Sequence, residues 1–404
     1  MNDTLGRIDR SEDIFRALQQ IATYLEARAV DVMIVAGDLF CDRSRPDQTR
    51  EAIARLRQIF GPFLARGGSI VAISGNHDSE ILFETLRDAS HLFAPPQGCD
   101  EGRLHLAPNP RMLKLSDRAG QQVQFVLMPY PSARCYLRGH DIEYSTVADR
   151  NRLVQKHFVQ TLNDLRLKID TALPSVLVSH IHVRGARTHN LFRVTEAEDV
   201  MFDATHIPTE WAYVAYGHIH EAQTAGAGLN HVRYCGSVEC LDAGEANDKK
   251  GVLLFDIDAQ GLCSDVETLP LSSTRLHQIE ITDPDEVATL RERFPDAENA
   301  LVHYTLHWTP GLHNRDEIAR EIGRIFPRWY KRDFVQNGAN SLAIKGETLH
   351  LSHVADNVRH YLNASLSENP QRAAVLELAE SLLAETNANA SANISANENV
   401  GGVA

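Results

Sequence analysis

Four short apolar runs in this chain end in side chains that can hold metal ions. They are VDVMIVAGD (30–38), SIVAISGNHD (69–78), SVLVSHIHV (175–183) and WAYVAYGHIHE (211–221). Each has the length and β-branched content of a buried strand. Helical spacing separates the first ones. Ile14, Phe15, Leu18, Ile21 and Leu25 recur at helical intervals from Ser11 to about Arg28, a second helix opens near Pro46 and runs to about Phe60, and Ser79 to Asp88 reads as a third. This alternation predicts a layered α/β domain with a largely parallel sheet. In open α/β sheets, ligands bind beyond the carboxyl ends of the strands, so loops far apart in sequence can converge there.

The rhythm continues with VQFVLMPYP as a strand and a long helix over 147–171. WAYVAYGHIHE, HVRYCGS and KGVLLFDID follow at shorter intervals and read as antiparallel strands. After about Leu271 the pattern becomes strand (HQIEI), helix (DPDEVATLRERF), strand (ALVHYTLHW), helix (RDEIAREIGRIF), which is a small α+β module.

Taken singly, each strand end has an ordinary explanation. A Gly-Asp after a strand is commonly a turn, and a lone histidine is more often a satisfied core residue. GHIH would place His218 and His220 on one strand face, and GNHD sets Asn76, His77 and Asp78 in a row after a turn-forming glycine. With GDLF (Asp38) and SHIH (His180, His182) they make four such loops, each after a buried strand, which argues against coincidence. A carboxylate, an amide oxygen and several imidazoles suit Mn, Fe or Zn better than Mg or Ca.

Composition narrows the class. The chain has 404 residues, a formal net charge of −14 and six cysteines without CxxC spacing. The scattered thiols read as a reducing cytoplasm and argue against a cysteine-built zinc site. No apolar run approaches the roughly 20 residues of a membrane helix, and the charged first thirty residues do not resemble a signal peptide. An acidic chain is not drawn to nucleic acid as a whole, so a DNA role needs a local basic groove, bound metal ions or a partner.

The ordered set GD, GNHD, H and GHxH resembles the calcineurin-like metallophosphoesterases. The fuller stretches AGDLFCDRSRP, AISGNHDS, VSHIHVRGA, YGHIHEAQ and YCGSVECLDAGEANDKKGVLLFDID resemble the SbcD branch of DNA-repair nucleases, over about residues 5–272. The resemblance implies an α/β sandwich of two mixed β-sheets flanked by helices, then a small α+β cap. It implies a nuclease domain over 1–272, a cap over 273–365 and a partner-binding helix over 366–386, while the low-complexity composition of 387–404, without Lys or Arg, reads as a disordered tail. It also implies two divalent metals, with Mn2+ the best match. Asp38 would bridge them, Asn76, His180 and His218 would complete one site, and His220 would serve the other. His77 would be the catalytic histidine, stabilising the transition state or protonating the leaving oxygen. His182 reads as structural or as a support for a ligand. Cys41 departs from the family, which usually has Asp or His just after GDLF. A small-molecule phosphoesterase and a one-metal-site scaffold subunit are the competing functions.

The family's first motif, D-x-H at the end of the first strand, has no counterpart, because no histidine precedes His77. Asp3 has no strand before it and no histidine after it. MNDTLGRIDRSED resembles the loop that follows the motif. The expectation is a strand missing from mid-sheet, leaving an apolar slot and unpaired strand edges. A misassigned start methionine is preferred over natural loss of one metal site, and the codons upstream of Met1 discriminate the two.

Two further stretches carry partner expectations. PRWYKRD mixes basic and aromatic residues, and Lys331 and Arg332 are candidate DNA contacts; the alternative is a solvated helix end. QRAAVLELAESLLAE (371–385) places Ala374, Val375, Leu378, Leu382 and Leu383 on one helical stripe. The resemblance implies that it docks on the coiled coil of an SbcC-like ATPase, with a nuclease homodimer at the centre.

Overall fold

A computed structural model describes residues 4–41, 44–92, 104–117, 119–139, 144–188, 199–206, 210–225, 229–337 and 372–381. Asp3, Cys99, the rest of the expected cap (338–365), Leu382, Leu383 and the tail 387–404 lie outside the described residues. The chain divides into two units, Met1–Asn337 and Gly338–Ala404. Of the second, residues 372–381 form a helix on which Leu378 is exposed.

The first unit is a mixed α/β structure built around two β-layers. The first layer holds three parallel strands, β1 (Val32–Val35), β2 (Ser69–Ile73) and β3 (Leu104–Ala107), paired in that order. The second layer holds six: β4 (Arg111–Ser116), β5 (Gln122–Met128), β6 (Ser175–His180), β7 (Tyr213–Gly217), β8 (Gln223–Thr224) and β9 (Val232–Tyr234). Their order across the sheet is β8-β9-β7-β6-β5-β4. Alternation along the strands separates the two faces. Val71, Ile73, Phe125, Leu127, Val176 and Val178 meet in a core between the layers. Val126, Met128, Leu177 and Val214 point outward under helix α4 (Val147–Arg166), meeting its Val154, Phe158 and Leu162. On the other side, helices α1 (Ser11–Ala27) and α2 (Pro46–Ala65) cover Ile70, Met33 and Val35, and Phe83 and Leu86 of α3 (Glu80–Leu92) join Ala72 and Leu106.

One pairing departs from expectation. The spacing of the runs at Tyr213–Gly217 and Val232–Tyr234 predicts antiparallel strands, but β7 and β9 pair in parallel. The physical reason lies between them. β8 forms an antiparallel hairpin with β9, so the chain reverses twice before returning beside β7. The run DPDEVATLRERF is also a 3-10 turn at Pro284–Thr289 followed by one helical turn at Leu290–Arg293, not a single helix.

A cavity of about 1010 Å³ is lined by both β1 and β10 (Gly251–Leu254). β10 pairs antiparallel with β11 (Glu267–Pro270), and among the described residues β1 and β10 each pair on one side only. Both sit at the same depth. Val252 joins Met33 and Val35 in the core under α1, while Phe255 joins Val32, Ile34 and Ala36 between the layers.

Residues beyond 272 build a third sheet of parallel strands, β12 (Leu276–Ile281), β13 (Leu301–Trp308) and β14 (Trp329–Gln336). With helix α5 (Arg315–Ile325) they enclose a separate core around Ile281, Val302, Tyr304, Leu306 and Ile322.

Candidate metal centre

The carboxyl ends of β1, β2, β6 and β7 carry Asp38, Asn76, His180 and His218, and the structure brings these four together. His180 Nε2 lies 2.9 Å from Asn76 Oδ1 and 3.3 Å from Asp38 Oδ2, and His218 Nδ1 lies 3.0 Å from Asn76 Oδ1. The backbones must come very close to allow this. A Cβ on Gly75 would sit 2.2 Å from Asp38 Oδ1, and one on Gly217 would sit 1.8 Å from the Ala36 carbonyl oxygen. Asp38 and His218 themselves take positive φ, 56° and 89°. Non-glycine residues adopt this region at a cost that surrounding structure must offset, and such residues cluster at functional sites.

Each imidazole is oriented from behind. His180 Nδ1 lies 2.6 Å from the Ala36 carbonyl oxygen, which can only accept, so this nitrogen carries the proton. His218 Nε2 lies 2.8 Å from Asp199 Oδ2, and His220 Nδ1 lies 2.7 Å from Glu245 Oε1. In neutral His180 and His218 the nitrogens facing Asn76 Oδ1 are therefore lone-pair acceptors. Acceptors 2.9–3.0 Å apart with no proton between them repel, and a cation placed among them removes the conflict. The spacing fits as well. Ligand atoms at right angles on a shell of about 2.1 Å are about 3.0 Å apart. The residues present thus suit a divalent metal.

Electrostatics point the same way. Burial opposes ionisation of Asp38, but the His180 imidazole and the His77 N–H outweigh it and hold the carboxyl well below the usual range. Burial would lower His180, yet the adjacent Asp38 carboxylate raises it; burial lowers His218. Asp78 is pushed up to about 6, first by burial, with the Asp38 charge adding to it. Its carboxylate accepts N–H bonds from Gly75, Leu39 and Phe40, tying the Asp38 loop to the Asn76 loop.

The other expected residues are placed differently. His77 donates its backbone N–H to Asp38 Oδ1, while its exposed side chain lines the cavity that Asp38, His180, His218 and His220 also line. His220 is half-buried, with its Nδ1 facing Glu245. His182 is buried, with Nδ1 3.6 Å from Asp199 Oδ2, and His182, Asp199 and His218 bring donor atoms within 4.8 Å of one another, a possible metal-binding group. Lys331 and Arg332 lie on β14, a strand where the alternative was a helix end. They point to opposite faces. Lys331 pairs with Asp333 at 3.4 Å, and Arg332 stacks over Trp329 and Phe334.

Residues 1–222 match the family model described as calcineurin-like phosphoesterase. The chain belongs to that family, whose members use divalent metals. It is similar to the D subunit of the nuclease SbcCD of Escherichia coli, 29% identical over 264 residues, or 62% of this chain and 60% of the relative. The same-named subunits of Staphylococcus epidermidis and Bacillus subtilis are each 25% identical, over 321 and 260 residues. These matches cover 78% of both chains in the first case, and 62% of this chain and 61% of the relative in the second. The chain thus spans about three fifths of the Escherichia coli relative's length. No helix among the described residues is long and apolar enough to cross a membrane.

Nothing in the sequence singles out Asp199 and Glu245. Both are polar residues between strands, where side chains ordinarily face water, and yet both are buried. Glu245 does lie within the stretch YCGSVECLDAGEANDKKGVLLFDID that carries the family resemblance, whereas Asp199 lies in no such stretch.

Proposed function

We propose that this chain is a metal-dependent phosphodiesterase acting on DNA, an exonuclease with some endonuclease activity. The observation that carries the reading is the convergence of Asp38, Asn76, His180 and His218 beside the exposed side chain of His77. The relatives' printed name, a nuclease subunit, supports a nucleic acid as the substrate.

Asp38, Asn76, His180 and His218 would hold one cation, and Asp38 with His220 would serve a second, whose expected D-x-H ligands this sequence does not carry. Two bound ions, Mn2+ by preference for this mixed donor set, would supply Lewis acidity and neutralise charge building on the phosphate. His77, attached to Asp38 through its own backbone N–H, keeps its imidazole free of that shell and delivers a proton to the leaving oxygen. Cys41, where the family usually has Asp or His, lines the same cavity.

Incubating the chain with Mn2+ and labelled duplex, hairpin and mononucleotide substrates tests this. Cleavage of the duplex or hairpin supports the reading. Turnover of the mononucleotide alone assigns a small-molecule phosphoesterase, and no turnover of any of the three assigns a scaffold.

The chain works, on this reading, in the cytoplasm with an SbcC-like ATPase, with a nuclease homodimer at the centre of the assembly. The ATPase supplies the grip that a chain of net charge −14 needs on a polyanion. Its contact is the helix that includes 372–381, where Leu378 is exposed. Deleting residues 366–404 should abolish co-purification with the ATPase and leave cleavage of short DNA intact; retained binding assigns that helix to the cap.

A further inference from the structure

His218 and His220 stand two residues apart, yet a different ring nitrogen of each is engaged by a buried carboxylate. Asp199 meets His218 at Nε2, and Glu245 meets His220 at Nδ1. We propose that Asp199 and Glu245 are positioning residues that lock the two imidazoles into opposite tautomers, so that His218 offers Nδ1 and His220 offers Nε2 to the metals. The proposal rests on the metal-centre reading above.

Each carboxylate is itself fixed. Asp199 Oδ1 accepts the Tyr130 hydroxyl at 3.0 Å and the Val200 N–H at 2.8 Å, which leaves Oδ2 for His218. Glu245 Oε2 accepts from the Lys250 ammonium, from the Ser237 hydroxyl at 2.9 Å and from the Leu241 N–H at 3.3 Å, which leaves Oε1 for His220. Lys250 is held in turn by Asp248 at 3.0 Å and by Ser237 at 2.8 Å. Neither carboxylate can rotate away without stranding a buried donor, which is costly. A carboxylate facing an imidazole nitrogen accepts and does not donate, so that nitrogen keeps the proton and the other presents its lone pair. Partners of this kind set the tautomer and raise the basicity of metal-ligating histidines.

The opposite choice of nitrogen follows from geometry. His218 lies against the Asn76 side, with Nδ1 3.0 Å from Asn76 Oδ1. Its Nε2 faces Asp199, a loop residue that also accepts the Tyr130 hydroxyl, and the Tyr130 and His218 ring centroids are 6.0 Å apart. His182, 3.6 Å from Asp199 Oδ2, is beyond hydrogen-bond distance and packs behind the pair. A cation bound by His182, Asp199 and His218 together would need His218 Nε2 deprotonated, whereas here it faces a carboxylate at hydrogen-bond length.

Long-range 1H–15N correlation of the histidine rings in the metal-free full chain reads the tautomers directly and needs no substrate. The expected result is His218 protonated at Nε2 and His220 at Nδ1. Finding both with the same tautomer overturns the proposal, even if every variant misfolds. In Asp199→Asn, the His218 signals should shift or average while His220 keeps its pattern; Glu245→Gln should do the converse. Titration with Mn2+ should show about 10- to 100-fold weaker binding in either variant. Unchanged tautomer and unchanged affinity in Asp199→Asn overturns the role of Asp199. In His182→Ala, the number of bound Mn2+ ions should equal the wild-type number; loss of one ion would assign that cluster as a metal site and overturn the positioning role. DNA cleavage is a separate readout, so failure of the nuclease reading leaves these outcomes distinguishable.

Discussion

The metal centre and the junction beneath the third sheet are both built from buried charge, and they balance it in opposite ways. At the junction Arg10, fully buried, bonds Asp13 at 2.7 Å and the Cys240 carbonyl at 2.7 Å, and lies 3.7 Å from Glu239. Asp13 also receives Arg16 at 2.8 Å and Arg328 at 2.6 Å. Glu239 accepts the N–H groups of Cys240 and Thr274. The two buried carboxylates are matched by two largely buried guanidinium groups, Arg10 and Arg328, while Arg16 is half-exposed to water; the buried charges therefore balance, and the cluster joins α1 to the chain leading into β14. At the metal centre Asp38, Asp78, Asp199 and Glu245 converge with Lys250 as the one ammonium or guanidinium bonded to them among the described residues. The junction closes its own charge and so is structural. The centre leaves negative charge that a cation from outside can balance.

That contrast can be broken at either end. The largest effect falls on chemistry. His77→Ala should lower DNA cleavage by about 100- to 10,000-fold with metal content nearly unchanged. Asp38→Asn should lose both activity and bound metal. Metal analysis beside rate measurement checks the pair, and equal metal loss in both variants would show the roles to be wrong. Next in size, Asp13→Ala strands Arg10 and Arg328 and should cost about 3–5 kcal/mol in urea unfolding, by the same amount with and without chelator. Removing metal from the wild-type chain should cost about 2.7 kcal/mol if the ion was present at a hundred times its Kd. Asp38→Asn should show little of that chelator effect.

Acid offers a finer probe. Burial would raise Asp13, but Arg328 and Arg10 outweigh it and hold its carboxyl below the usual value of 3.8. A depressed carboxyl stabilises the fold above its unfolded pKa, and the contribution is lost as pH falls through the folded value. Asp13→Asn should therefore show a shallower fall of stability with pH below about pH 4 than wild type does. The smallest expected change concerns the third sheet. Charge reversal at Lys331 and Arg332 should weaken DNA binding and reduce the slope of log affinity against log salt by about one for each phosphate no longer neutralised. Because the two side chains face opposite sides of β14, reversing them singly should affect binding unequally. Equal effects, or none, would count against a DNA surface there.

Period alone reveals the strands and helices that carry the site, because buried strands read as continuous apolar runs and amphipathic helices as stripes. The pairing of β7 with β9 is not legible, since the two residues of β8 that reverse the chain have no hydrophobic pattern of their own. The short strands Leu104–Ala107 and Arg111–Ser116 escape notice because each is too short to establish a period on its own. Donor types can be read at strand ends, as at Asp38 and His218. Their supports cannot. Nothing local marks Glu245 as buried; that depends on Lys250 and Ser237 folding around it.

The loop ends that meet at the candidate metal centre come from residues 38, 76, 180 and 218, far apart in sequence. An unfolded chain therefore offers a cation only isolated side chains and the single His218–His220 pair. Such a site is assembled by long-range closure and forms after the sheets have paired. A metal bound there would be a latch on the finished structure and not a nucleus for it. Added Mn2+ should slow unfolding and leave the refolding rate nearly unchanged.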